Sequence, residues 1–260
     1  MSSEGFRGEL PSNLLGLAAS CHIGDLDSAA RAVVSRGGDG AGGYVCLCNV
    51  HLLTLSLHDV QLRRALGAAW ERLPDGAPVA WLQRRLGHRD ARRIGGPDLM
   101  PRVADLGREQ GLRHFFLGST SEVLEGVERA LEQRFVGIQI AGSHSPPFAD
   151  SVSHDTGAIE AVRAADAQIV WCALGAPKQE LWMHRFAPLL PSVLFLGVGA
   201  AFDFLAATKP RAPVWMQDRG LEWFHRLGSE PTRLGARYVR TNTEFLVRSG
   251  FELARRSVAA

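Results

Sequence analysis

The segment Leu73-Pro74-Asp75-Gly76 sets a carboxylate on a tight turn between helical patterns, where Asp75 can act as a general base or merely serve the turn. Downstream lie Trp81, a basic cluster of Arg84, Arg85, Arg92 and Arg93, and then Gly95-Gly96-Pro97-Asp98, which reads as a helix start with free backbone N–H groups. The sharper signal is Gly175-Ala176-Pro177-Lys178-Gln179-Glu180. A strand pattern ends at Leu174, Gly175 turns the chain, and a helix begins near Pro177. Such an N-terminus offers N–H groups and partial positive charge to a phosphate within reach of Lys178 or Gln179, although an ordinary strand-to-helix turn has the same sequence. Gly197-Val198-Gly199-Ala200-Ala201-Phe202-Asp203 closes another strand pattern. Asp203 is suited either to a nucleoside's base or ribose or to capping the next segment. Arg211-Ala212-Pro213 adds a cation beside a proline-started helix.

The elements that must position these groups alternate. Short apolar runs at Tyr44–Asn49, His114–Gly118, Val136–Ala141, Gln168–Leu174 and Val193–Gly199 read as strands, and Leu99–Gln110, Ser121–Arg134, Gly157–Ala164 and Lys178–Leu189 read as helices. One helix between successive strands implies an α/β fold, a Rossmann-like parallel sheet flanked by helices, with ligands at the strands' carboxyl ends. Arg36–Gly43 reads as a glycine-rich linker; it precedes a strand and lacks the Gly-Lys-Ser/Thr of a phosphate loop.

The chain of 260 residues, 46% hydrophobic and 22% charged, has ordinary globular usage. No run of about 18 apolar residues offers a membrane span, and Met1–Leu10 lacks an apolar signal core. Cys21, Cys46, Cys48 and Cys172 show no zinc-type spacing and read as buried thiols. The net charge of +2 is uneven: residues 206–260 hold ten Lys/Arg against five Asp/Glu, a balance of +5 that leaves −3 for residues 1–205. Together with Trp215, Trp223 and Phe224, this divides the chain into a core (1–205) and a basic amphipathic helical appendage (206–260) with an anionic partner. Removing the appendage is expected to abolish activity and leave a folded core.

Other constellations point to structure. Asp25-Leu26-Asp27 precedes Ser28 as a helix cap would. Ser143, His144, Ser145, His154 and Asp155 lack the strand–elbow–helix setting of a hydrolase serine. His51 and His58 fall on a helical pattern, suited to packing or to solvent more than to a metal.

Taken in order, Asn49, Leu-Pro-Asp-Gly at 73–76, Arg93-Ile94-Gly95-Gly96-Pro97-Asp98-Leu99, Phe116-Leu117-Gly118, the 175–180 and 197–203 segments, Arg211-Ala212-Pro213 and Gly220-Leu221-Glu222-Trp223 resemble the WecG/TagA/CpsF glycosyltransferase family, from about Leu15 to about Asn242. The resemblance implies an inverting transferase that moves a sugar from a UDP-sugar to a polyprenyl-diphosphate-linked saccharide in cell-surface polysaccharide or teichoic acid assembly, peripheral on the inner face of the plasma membrane. It makes Asp75 the general base, implicates Arg93 and Gln179 in activity, and gives Asp203 the uracil nucleoside. Asn49, Gly175 and Lys178 join the substrate site, and an arginine of the appendage, Arg211, Arg226, Arg233 or Arg237, is suited to the leaving diphosphate together with the N–H groups at the Pro177 helix. With those cations no metal or other cofactor is required. The expected partners are the UDP-sugar, the lipid-linked acceptor and an anionic membrane surface; a homo-oligomer is compatible, and nucleic acid is not expected.

Two departures stand out. The family's Thr-x-Asn reads Leu47-Cys48-Asn49, and its Gly-Tyr-Phe reads Pro146-Pro147-Phe148, which leaves base stacking to Phe148. They support a competing reading, a catalytically silent UDP-binding scaffold or sensor. A nicotinamide oxidoreductase is disfavoured, since no Gly-x-Gly-x-x-Gly follows the first strand.

Overall fold

The structure, a computed structural model, describes residues 9–147, 156–229 and 231–259. In chain order the elements are α1 (Leu14–Ala19), α2 (Leu26–Gly38), β1 (Gly43–Cys48), α3 (Val50–His58), α4 (Val60–Ala68), β2 (Glu71–Pro74), α5 (Ala77–Arg85), α6 (Gly96–Gly107), β3 (Arg113–Gly118), α7 (Ser121–Arg134), β4 (Gln139–His144), α8 (Thr156–Ala164), β5 (Ile169–Ala173), α9 (Lys178–Phe186), β6 (Leu194–Gly197), α10 (Ala201–Leu205), α11 (Val214–Asp218), α12 (Glu222–Ser229) and α13 (Pro231–Ala259). The six strands form one parallel sheet in the order β2-β1-β6-β5-β3-β4. The expected Rossmann-like α/β architecture is therefore what the chain adopts.

Alternation along β1 divides the interior in two. Tyr44, Cys46 and Cys48 face a core shared with α1, α3, α4, α5, α8 and α9, while Val45 and Leu47 face a second core with α2, α6, α7 and α10. Covering both faces is what lets the strands be apolar throughout. All four cysteines are free and buried. Asp25 caps α2 in a reciprocal pairing with Ser28, and Asn49 and Asp59 cap α3 and α4.

Three expectations change. The expected turn at Leu73–Gly76 is preceded by a strand, β2, which takes in Leu73 and Pro74; its Glu71 and Arg72 are both buried, and Arg72 donates to the carbonyls of Ser20, Leu66 and Ala69. β4 starts at Gln139 instead of Val136, which is 82% exposed. The linker is shorter than Arg36–Gly43, since α2 continues to Gly38 and the Arg36 guanidinium folds back onto the Gly42 carbonyl.

The basic tail forms α11, α12 and the 29-residue α13. Its second half is built into the core. Phe245 is fully buried in the first core, and the Glu252 carboxylate accepts from the Leu14 and Leu15 N–H groups at the start of α1 at 3.2 and 2.9 Å. A cut at Ala206 removes this cap and this core residue together with the tail's arginines, so an intact core after such a cut is no longer expected.

Candidate active site

The carboxyl ends of β2, β1, β6 and β5, four neighbours in the sheet, open on one cavity of about 440 Å³. Asp75 is the first residue past β2; its N–H donates to the Cys48 carbonyl at 2.9 Å, which extends the ladder by one rung. Gly76 then turns the chain at a φ of 117° into α5, whose first turn contains Pro78. The half-buried Asp75 side chain lines the cavity beside Arg93, held there because the Ile94 N–H donates to the Pro74 carbonyl at 2.9 Å. A Cβ placed on Gly95 would lie 3.5 Å from Asp75 Oδ1, 3.5 Å from Asp98 Oδ2 and 3.7 Å from Arg93 Nη1, so this glycine lets the three side chains converge.

Asn49 lines the next strand end. Its Oδ1 accepts from the Leu52 N–H at 3.0 Å as the cap of α3, which leaves its amide N–H groups for a ligand. From the β5 side come Gly175 and Gln179. Gln179 is 4% exposed; its Nε2 donates to Glu180 Oε1 at 2.8 Å, and its Oε1 has no hydrogen-bond partner among the described residues.

The opposite wall comes from the tail: Gly220, Glu222, Trp223, Asn242, Phe245 and Leu246. A Cβ on Gly220 would meet the Ala77 Cβ at 2.3 Å, so the tail rests directly on the start of α5, two residues beyond Asp75. An ion cluster fastens it. Arg93 Nη1 lies 2.5 Å from Glu222 Oε2, Arg93 Nη2 is 3.0 Å from Asp98 Oδ2, and Arg211 holds both Asp98 oxygens at 2.8 Å. Burial works against the Arg211 charge, but Asp98 and Glu222 outweigh it and hold its guanidinium above the ordinary value.

Five of the expected site residues, Asp75, Arg93, Gln179, Asn49 and Gly175, thus meet in one cavity. Lys178, Asp203 and Arg211 do not line it: Lys178 begins α9, the Asp203 carboxylate pairs with Lys209 at 3.3 Å, and Arg211 is engaged by Asp98. Phe148 lies outside the described residues, as do His154 and Asp155. The side chains of Arg226, Arg233 and Arg237 do too, although their positions fall on α12 and α13. Leu47, where the family has a hydroxyl, forms part of the cavity wall, and His51 lines it as well, whereas His58 bonds Glu244 of α13 at 2.7 Å. Among the described residues no three His, Cys, Asp or Glu side chains gather as a metal site would require. The ion-pair roles of Asp98 and Glu222 carried no sequence signal, because their partners are up to 129 residues away.

The architecture is that of a Rossmann-like α/β protein with a cavity at the carboxyl edge of a parallel sheet, where folds of this kind bind their ligands. Matching over residues 13–258, the chain belongs to the glycosyl transferase WecG/TagA/CpsF family, and it is a glycosyltransferase. It is 29% identical over 193 residues to the N-acetylglucosaminyldiphosphoundecaprenol N-acetyl-beta-D-mannosaminyltransferase of Bacillus subtilis (strain 168), covering 74% of this chain and 73% of that protein. The enzyme of the same description from Bacillus spizizenii (strain ATCC 23059 / NRRL B-14472 / W23) is 28% identical with the same coverage.

Proposed function

We propose that this glycosyltransferase moves an N-acetylmannosaminyl group from its UDP-sugar to the sugar of a polyprenyl-diphosphate-linked N-acetylglucosamine, with inversion at the anomeric carbon, in cell-surface polysaccharide assembly. The observation that carries the reading is the convergence of Asp75, Arg93 and Gln179 at the carboxyl edge of the sheet under an apolar wall from the tail. The two relatives' names supply the sugar and the acceptor.

In this reading Asp75 takes the proton of the acceptor hydroxyl as its oxygen bonds the anomeric carbon. The bond from that carbon to the diphosphate oxygen breaks, and UDP leaves with the electron pair. General-base help of this kind is worth roughly 10²–10⁴ in rate. Arg93 offsets charge growing on the diphosphate. Asn49 and Gln179 orient the sugar nucleotide, and Asp203, Lys178 and Arg211 act at its margins.

The apolar wall of Trp223, Phe245 and Leu246 suits the lipid-linked acceptor. Exposed Val214, Trp215 and Phe224 on α11 and α12, with the basic balance of the tail, suit docking on an anionic bilayer from the inner face. No described helix is long and apolar enough to cross a membrane. The test is the product: UDP-N-acetylmannosamine and a short polyprenyl-diphosphate-N-acetylglucosamine should yield a disaccharide whose new linkage is β by NMR. An α linkage would overturn the inverting step.

A further inference from the structure

Behind Gln179 lies an acid that the transfer step does not use. Glu180, also on α9, is fully buried; its Oε1 accepts from Gln179 Nε2, and its Oε2 has no hydrogen-bond partner among the described residues. No cation pairs with it among the described residues. The Gln179 amide is confined between two cavity-lining glycines: a Cβ on Gly197 would lie 3.0 Å from its Nε2, and one on Gly199 would lie 3.9 Å from its Oε1. The two ends of this amide therefore meet different things. The N–H end is bonded to a buried carboxyl group, and the carbonyl end, at the wall of the cavity, has no partner among the described residues.

The ends of a glutamine amide are nearly identical in shape and opposite in hydrogen-bonding sense, and an ionised carboxylate can only accept. A carboxylate behind Gln179 therefore takes the N–H end and leaves the carbonyl oxygen for the ligand. We propose that Glu180 is a positioning residue that fixes the Gln179 amide with its carbonyl oxygen toward the cavity, so that Gln179 reads a hydrogen-bond donor of the sugar, a hydroxyl or an acetamido N–H, and not the diphosphate. This rests on the transferase reading above.

The setting makes the device sensitive to pH. The titratable groups facing Glu180 from the packed strands are the thiols of Cys46 on β1 and Cys172 on β5, both driven up by burial and so neutral. Burial likewise pushes the Glu180 carboxyl up to about 7. Once protonated it can donate to the Gln179 oxygen, which turns the N–H end toward the ligand and weakens donor-sugar binding on the acid side.

The experiment uses the full chain with Glu180→Leu and Glu180→Gln, the Gln179 side-chain amide resonance being assigned by its loss in Gln179→Leu. In the wild type that resonance should move with pH about a midpoint near 7, and in Glu180→Leu it should not move. With UDP-N-acetylmannosamine, Glu180→Leu should raise KM about tenfold, the scale of one hydrogen bond, without lowering Tm. Glu180→Gln, which keeps an acceptor, should restore most of the affinity but lose the acid limb. An amide resonance indifferent to both pH and Glu180→Leu would overturn the proposal, as would a fall in Tm with KM and its pH profile unchanged. A wild type that turns over no sugar nucleotide would defeat the transferase reading, while the amide titration would still decide what Glu180 does to Gln179.

Discussion

Arg211, from the chain beyond α10, grips Asp98 in the first turn of α6 with both Nη atoms, each at 2.8 Å. Because Asp98 and Glu222 also hold Arg93, two cations and two anions form one neutral cluster at the edge of the cavity. In the proposed transfer, a diphosphate at Arg93 would have to share it with these carboxylates. Asp98→Asn removes one of the two anions that both arginines use, and charge-assisted bonds of this kind contribute about 1.5–3 kcal/mol. The variant should lose stability on that scale in denaturant titrations, with faster hydrogen exchange in residues 211–229 than in the sheet.

Gly220 tests the seat of the tail separately from its charges. At a φ of 70° an added Cβ would run into Ala77, so Gly220→Ala should push the tail off α5. The expected cost is about 1–3 kcal/mol from overpacking, with turnover falling more steeply than Tm because the cavity wall moves. Unchanged kcat/KM would mean that this contact does not shape the site.

The buried acid has a signature in stability. Glu180 holds its proton more tightly folded than unfolded, so its contribution is fully present below its ordinary value of 4.5 and lost as pH rises through about 7. The wild type should become less stable across that window by an amount on the order of 1–3 kcal/mol, and Glu180→Gln should flatten this part of the profile. Urea titrations at pH values spanning the window measure it.

Trp215 and Phe224 are 53% and 59% exposed and do not line the cavity. Replacing both by serine should weaken co-sedimentation with vesicles containing anionic lipid, leaving Tm within about 0.5 kcal/mol equivalent of the wild type, as surface changes usually do. Undiminished binding would move the membrane contact elsewhere.

The fold was legible where burial is continuous. β1, β3, β5 and β6 are short apolar runs because both sheet faces are covered, and periodicity alone locates them. β2 was hidden because Arg72 is satisfied by carbonyls of distant segments, and a buried arginine has the same letter as a surface one. Within the site, Asp75 stood out through the turn motif Leu73-Pro74-Asp75-Gly76, and Gln179 because it follows a strand end marked by a turn. Asp98, Glu222 and the wall from α13 did not, since their roles arise only when residues far apart in the chain meet. Glu180 reads as an ordinary polar residue in a helix's first turn, and only its complete burial beside Cys46 and Cys172 sets it apart.

A base role for Asp75 in sugar transfer from a UDP-sugar to a lipid-linked acceptor, as proposed above, is open to direct assay. The most direct measurement is UDP release from a panel of UDP-sugars, with and without polyprenyl-diphosphate-N-acetylglucosamine, for the wild type and Asp75→Asn. Release should depend on the acceptor, be fastest with UDP-N-acetylmannosamine and fall by roughly 10²-fold or more in Asp75→Asn, while UDP still binds. Release undiminished in Asp75→Asn would contradict the assignment of the base, and UDP binding without release from any pair would favour a silent nucleotide-binding protein.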